Sequence, residues 1–388
     1  MQTLLAGDCI AGMKTLPDGC VHTCITSPPY FGLRDYGHED QIGLEETPEQ
    51  FVSRLVEVFR EVRRVLRDDG TLWLNLGDSY SGAAAGKRTG GNLAEWKNGG
   101  RRNPDVGETG HKKPGQSKQL LGIPWRVAFA LQADGWYLRQ DIIWSKPNPM
   151  PESVKDRCTK AHEYIFLFSK SPRYFFDHEA IKEDAVGQAS GNLARKSRPS
   201  QSSLGRGDQK GSVPWEGGSL RSRRSVWTVT TKPFKGAHFA TFPPDLIEPC
   251  VMAGAPERCC SACGAPQERV VEKTTSFWGG SGRAGRTAED VNASGKWAGQ
   301  QYGKNLKLGP LVTSETVGWR PTCVCDAGAP VGGTVLDPFF GAGTTGLVAQ
   351  MNNRSWIGCE LNPKYVEMAR GRLGMPPSFA RELEGLLG

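Results

Sequence analysis

Residues 334–363 constrain the fold of this chain more tightly than any other stretch. Thr334 to Leu336 is a short apolar run. Asp337-Pro338-Phe339-Phe340-Gly341-Ala342-Gly343-Thr344-Thr345 is a glycine-rich turn, and Thr344 to Met351 carries helical patterning. Trp356 to Cys359 is a second apolar run ending in Glu360, after which Asn362-Pro363 caps another helix. This is a β-α-β unit of the nucleotide-binding type. Glycines where a strand turns into a helix let backbone N–H groups approach a ligand closely, and a carboxylate at the tip of the next strand can take both hydroxyls of a ribose. The turn lacks the third glycine of the dinucleotide fingerprint and the lysine of a phosphate-binding loop, so a phosphate-bearing nucleotide is disfavoured. A glycine-rich turn alone can be a tight structural connection; Glu360 directs this one toward an adenosine-containing cofactor.

The beginning of the chain follows the same grammar. Thr3 to Ala6 is apolar and is broken by Gly7-Asp8, and Val21 to Thr26 is a β-branched run ending in Ser27-Pro28-Pro29-Tyr30. Thr47-Pro48-Glu49-Gln50 is a capping box with proline at the first helical position. Phe51, Leu55, Val58, Phe59, Val62, Val65 and Leu66 then recur at helical spacing until Asp69-Gly70. With the strand-like Thr71 to Leu76, residues 21–76 make a second β-α-β unit. Ile123 to Leu131 is a short amphipathic helix. Tyr137 to Trp144 and Glu163 to Ser169 are strands on either side of Asn148-Pro149, which predicts an antiparallel edge. The expected fold class is α/β: a Rossmann-like, doubly wound, mostly parallel sheet with that antiparallel edge.

Two breaks interrupt this pattern. The chain has 49 Gly and 26 Pro in 388 residues, so long loops are expected. Ala85–Lys118 and Asn192–Lys235 together hold more than the whole formal net charge of +7, leaving a net acidic remainder. Basic, Gly/Ser-rich segments on an acidic body suit phosphate contact by loops, with solvated loop as the alternative for each taken alone. There is no leader-like N-terminus and no apolar run long enough for a bilayer, so a soluble, cytoplasmic protein without membrane contact is expected. Eleven cysteines in that setting argue against a disulfide framework. Cys260-Ser261-Ala262-Cys263 and Cys323-Val324-Cys325 form two close pairs that could supply four thiolates to a structural zinc ion at the base of the loop between them. Cys259 is an alternative ligand, and scattered packed thiols are the alternative to a metal.

Thr26-Ser27-Pro28-Pro29-Tyr30 stands at the C-terminal end of a strand, where open α/β sheets place their ligands. Its prolines fix the backbone. The Ser27 hydroxyl and the Pro28 carbonyl can accept hydrogen bonds from one amino group, and Tyr30 offers a ring face to a planar base. Asp78 and His162-Glu163 could also line such a cleft, with a satisfied structural role as the default.

These motifs resemble those of the amino-methylating DNA methyltransferases, and their order, catalytic motif first and cofactor motif last, resembles the circularly permuted β group. The match includes Gly7-Asp8-Cys9, Thr26 to Tyr30, Asp141 to Asn148, His238 to Ile247 and Asp337 to Glu360. The resemblance implies S-adenosylmethionine as cofactor. Asp337, Phe339, Gly341, Gly343 and Thr344 would form the methionine-side pocket, and Glu360 would be the ribose ligand. Asp8 would face the adenine, while His238, Thr241 and Phe242 would cover the methionine end. Ser27, Pro28, Pro29 and Tyr30 would hold the flipped target base.

Serine at the first motif position is typical of cytosine enzymes in this family, so N4-methylcytosine is the expected product and N6-methyladenine the alternative. Other readings are an RNA or protein-amide methyltransferase and a non-catalytic, zinc-containing DNA-binding protein. The implied partners are double-stranded DNA and a cognate restriction enzyme; no oligomeric state follows. The expected organisation is a catalytic half over 1–181 with the basic loop 85–118, a target-recognition insert over 182–236, and a cofactor half over 237–388 with a Cys-flanked insert over 259–325.

Overall fold

The computed structural model describes residues 2–33, 38, 40–81, 115–184, 220–232, 242–276 and 311–376. The strands and helices fall in two compact units. One spans residues 1–180, 224–267 and 321–388; the other spans 181–223 and 268–320.

The first unit is built on an eight-stranded sheet. Its elements in chain order are β1 (Gln2–Ala6), α1 (Cys9–Lys14), β2 (Val21–Thr26), α2 (Pro48–Val65), β3 (Leu66–Leu76), α3 (Ile123–Ala133), β4 (Tyr137–Ser145) and β5 (His162–Ser169). After the short strands β6 (Glu183–Asp184) and β7 (Leu220–Arg221) of the second unit come β8 (Val226–Thr228) and α4 (Pro244–Gly254). The hairpin β9 (Glu268–Ser276) and β10 (Leu311–Arg320) again belongs to the second unit. The chain ends its described course with β11 (Thr334–Asp337), α5 (Thr344–Met351), β12 (Ser355–Glu360) and α6 (Pro363–Leu373).

The strand order is β1-β12-β11-β2-β3-β5-β4-β8. The first five strands run parallel, β5 runs antiparallel to both β3 and β4, and β8 adds parallel to β4. The antiparallel pairing expected across Asn148-Pro149 is therefore β4 with β5, toward one side of the sheet. β8 forms that edge.

The reason each element forms is local. Thr47 Oγ1 accepts the Gln50 N–H at 3.2 Å while Gln50 Oε1 accepts the Thr47 N–H at 3.2 Å, a complete capping box with Pro48 behind it. The helix it starts buries Phe51, Leu55, Val58, Phe59, Val62 and Val65. These pack with α1, α3 and the Leu72–Leu74–Leu76 face of β3 into one hydrophobic core. Trp73, on the opposite face, is buried as well, and α4 packs on β2 and β3. A strand buried on both faces reads as a continuous apolar run, which is how Leu72-Trp73-Leu74 reads.

Parallel strands share a C-terminal edge, so Asp8 after β1, Ser27 after β2, Gly77 after β3, Asp337 at the end of β11 and Glu360 at the end of β12 all reach the same rim. From β11 the chain winds outward through β12; from β2 it winds the other way through β3. The windings diverge between β11 and β2, and open α/β sheets bind ligands at such a switch point.

In the second unit, β6 and β7 pair antiparallel, with Glu183 opposite Arg221. β9 and β10 form a hairpin from Glu268 opposite Arg320 to Ser276 opposite Leu311, with a bulge between Thr316 and Gly318. Arg269 lies over the Trp319 ring at 4.4 Å. Among the described residues no helix is long and apolar enough to cross a membrane.

Candidate active site

The seam between β2 and β11 holds the centre of the site. Thr26 Oγ1 donates to Asp337 Oδ1 at 2.6 Å, Thr345 Oγ1 donates to Asp337 Oδ2 at 2.7 Å, and the Phe339 N–H reaches Oδ1 at 3.0 Å. Asp337 is only 2% exposed. Burial pushes its carboxyl up to about 6, against the opposing pull of its three donors. One buried carboxylate thus ties the strand carrying Ser27 to the glycine-rich turn.

In that turn, Gly341 and Gly343 have φ of +52° and +76°, the left-handed region that suits glycine. The turn is held to β12 through Glu360: Oε2 accepts the Gly341 N–H at 2.7 Å and Oε1 accepts the Asn362 N–H at 2.8 Å. Burial pushes this carboxyl up to about 7. Phe340 stacks on Trp356 at 5.0 Å, anchoring the turn from beneath.

A cavity opens over this seam. Its wall includes Asp8, Ser27, Pro28, Pro29, Tyr30, Phe242, Asp337, Phe339, Gly341, Thr344 and Glu360. Eleven of the predicted cofactor and base-binding residues therefore converge on one space. Asp8 also accepts the Ala11 N–H at 2.8 Å as the N-cap of α1. Gly343 does not line the cavity; it caps α5 and lies against Leu373 and Ala369 of α6. His238 and Thr241 lie outside the described residues.

The residues fit an adenosyl and amino-acid ligand. Left-handed glycines leave backbone approachable, Glu360 presents a carboxylate at a strand tip, and Phe339 and Tyr365 offer apolar surface. The segment around His38 and Gln41-Ile42, together with Leu361, Asn362 and Tyr365, also lines the cavity and was not singled out from sequence. Asn362 and Tyr365 follow directly from the position of the Asn362-Pro363 cap. The 38–42 segment carries no motif.

Tyr30 is held by a polar cluster at the start of β5. Its hydroxyl donates to Glu163 Oε2 at 2.8 Å. Asn75 Nδ2 donates to the same oxygen at 3.3 Å and to the Tyr164 carbonyl at 3.0 Å. Lys146 pairs with Glu163 Oε1 and sits over the Trp144 ring at 4.1 Å. Gly77 leaves the room: a Cβ there would stand 2.5 Å from the Tyr30 ring. The signal for Glu163 was its place at the start of a strand, but its partner could be known only from the strand order. Asp78, by contrast, accepts the Ser79, Gly122 and Ile123 N–H groups and so caps the start of α3.

The four cysteines proposed from their spacing lie apart from this rim. The Sγ atoms of Cys260, Cys263, Cys323 and Cys325 are all within 4.8 Å of one another. Cys259 points elsewhere, its thiol donating to the Val331 carbonyl at 3.0 Å.

The profile of an N6/N4-type DNA methylase family matches residues 21–262 and 322–371, spanning both halves of the cavity. Among similar proteins, the Type II methyltransferase M.XycI of Xanthomonas campestris pv. cyanopsidis is 41% identical over 96% of this chain and 87% of its own length. M.Cfr9I of Citrobacter freundii is 39% identical with the same coverage. M.SmaI of Serratia marcescens is 38% identical over 95% of this chain and 90% of its own. The solved PvuII DNA methyltransferase (cytosine-N4-specific) has the same fold, with a TM-score of 0.52 at 15% identity, over 100% of this chain and 92% of that one. With both motif regions inside the matched profile and three relatives aligned almost end to end, the chain belongs to the N6/N4 family of amino-methylating DNA methylases, which use S-adenosylmethionine.

Proposed function

We propose that this chain methylates N4 of cytosine within a specific duplex DNA sequence, as the modification enzyme of a type II restriction-modification system. The observation that carries the reading is the Thr26–Asp337 hydrogen bond, which holds the end of the Ser27-Pro28-Pro29-Tyr30 strand against the glycine-rich turn at one cavity. The relatives M.XycI, M.Cfr9I and M.SmaI are type II methyltransferases, which supports the restriction-linked role and a cognate endonuclease as partner.

When bound, S-adenosylmethionine supplies an electrophilic methyl group. Glu360 would take the ribose hydroxyls and Asp8 would face the adenine. The turn bearing Asp337, Phe339, Gly341 and Thr344 would surround the methionine end, with Gly343 shaping the turn, and Phe242 would lie against it; His238 and Thr241, assigned to the same cover, lie outside the described residues. The target cytosine is flipped from the duplex because its amino group is out of reach inside the stack. Tyr30 stacks on the base, and its ring cannot swing freely because Glu163 and Asn75 hold the hydroxyl.

An exocyclic amino nitrogen is a poor nucleophile because its lone pair is delocalised into the ring. Hydrogen bonds from that amino group to Ser27 Oγ and the Pro28 carbonyl favour a pyramidal nitrogen and direct the pair toward the methyl group. Transfer is direct, so no cysteine nucleophile is needed. Ser27, in place of an acidic or amide side chain, favours cytosine over adenine. The insert over 182–236 selects the DNA sequence, apart from Val226–Thr228, which form β8 of the sheet, and the basic loop over 85–118 meets the phosphates; residues 85–114, 185–219 and 233–236 of these lie outside the described residues.

Mass spectrometry of nucleosides from DNA of a methylation-free host expressing the protein tests this. N4-methylcytosine, absent with Ser27→Ala plus Tyr30→Ala, is the expected result. N6-methyladenine would refute the base assignment while keeping the site, and unchanged methylation by the double variant would refute the site.

A further inference from the structure

We propose that Cys260, Cys263, Cys323 and Cys325 bind one zinc ion as a closed, tetrahedral, structural site. A tetrahedron of thiolates about 2.3 Å from zinc places its sulfurs about 3.8 Å apart. The four Sγ atoms here already lie within 4.8 Å of one another, so small side-chain shifts complete the geometry. Convergence of thiols from positions some 60 residues apart is not what scattered packing yields, and none of the four is in a disulfide.

A tight turn carries the first pair of cysteines. The turn closes with the Gly264 N–H on the Cys260 carbonyl at 2.9 Å, and Gly264 adopts φ +69°.

The turn is then anchored to the sheet. Arg67 Nη1 donates to the Cys263 carbonyl at 2.9 Å. The buried His22 accepts the Thr334 N–H on Nδ1 at 2.9 Å, leaving Nε2 to donate to the Gly264 carbonyl at 2.8 Å. His22 and Arg67 belong to the N-terminal ends of β2 and β3, opposite to the rim that carries the cavity. With four protein ligands the ion has no open position, and it stands away from the reacting groups, so its role is structural. It joins the points where the chain departs toward β9 and returns from β10.

The test uses the full-length protein expressed with zinc available. Elemental analysis after dialysis is expected to give about one zinc per chain, falling below about a tenth in Cys263→Ser and in Cys325→Ser. Cobalt exchanged into the wild type is expected to show the absorption of tetrahedral thiolate coordination. Should the serine variants fail to fold, differential alkylation of the wild type decides. The four thiols are expected to resist alkylation until a strong chelator is added, whereas the exposed Cys158 reacts in both conditions. Zinc-free wild type, zinc retained when all four cysteines are serine, or alkylation of the four unaffected by chelator would overturn the proposal.

Discussion

Glu360 gives the sharpest quantitative expectation. Its carboxyl is pushed up to about 7 by burial, yet a ribose-binding carboxylate must be ionised to accept two hydroxyl protons while holding the Gly341 and Asn362 N–H groups. At a pKa of about 7 the ionised fraction is about 0.09 at pH 6 and about 0.9 at pH 8, so affinity for S-adenosylmethionine rises about tenfold, or about 1.4 kcal/mol, over that interval. In Glu360→Gln this component disappears. The amide also presents an NH2 group to one of the two backbone donors, which costs about 1–3 kcal/mol. Calorimetric titration of both proteins from pH 6 to 8 measures this, and the difference between their profiles cancels the ligand's own amino group. Superimposable pH profiles for wild type and Glu360→Gln would refute the reasoning.

Three further outcomes follow from contacts described above. Gly77→Ala brings a Cβ against the Tyr30 ring, so methylation is expected to fall by about tenfold or more while thermal unfolding shifts by only a few degrees, as read by initial rates beside calorimetry. Tyr30→Phe keeps the ring but loses the Glu163 hydrogen bond, and is expected to keep more activity than Tyr30→Ala by about tenfold or more in kcat/KM. Asp337, buried with its carboxyl held near 6 rather than 3.8, contributes stability that is full below about pH 4 and lost as pH rises through about 6; unfolding across that window should show the slope in the wild type and a shallower one in Asp337→Asn.

What was legible in the sequence was whatever a local pattern fixes. The capping box at Thr47 and Gln50, the apolar runs of β2, β3, β11 and β12, and the glycine-rich turn each have a short-range physical cause and appeared where expected, except that α2 ends at Val65 and β3 already begins at Leu66, running through the Asp69-Gly70 expected to stop the helix. The convergence of the four cysteines was legible because they fall in two close pairs in the sequence. The β9–β10 hairpin was not: Glu268–Ser276 mixes charged residues with adjacent valines, without the alternation that marks a half-buried strand, and its partner comes 35 residues after it ends. Glu163 was named as a residue that could line the cleft, but its contact with Tyr30, like that of Gly77, was opaque for a related reason. Glu163 meets Tyr30 only because β5 is inserted antiparallel beside β3, a fact of strand order that no window of sequence contains, and Gly77 meets it through the tertiary pairing of β2 with β3.

The Thr26–Asp337 bond has a consequence in time. It joins residues 311 positions apart. At about 5–20 residues per second, the ribosome delivers Asp337 on the order of 15–60 s after Thr26. Until then β2 lacks its inner neighbour β11, and the Ser27–Tyr30 turn has no carboxylate beneath it. Closing such a long loop is entropically slow as well as late. The half-made sheet must therefore shield an unpaired strand while it waits, and a nascent chain gains this seam only once residue 337 has been synthesised.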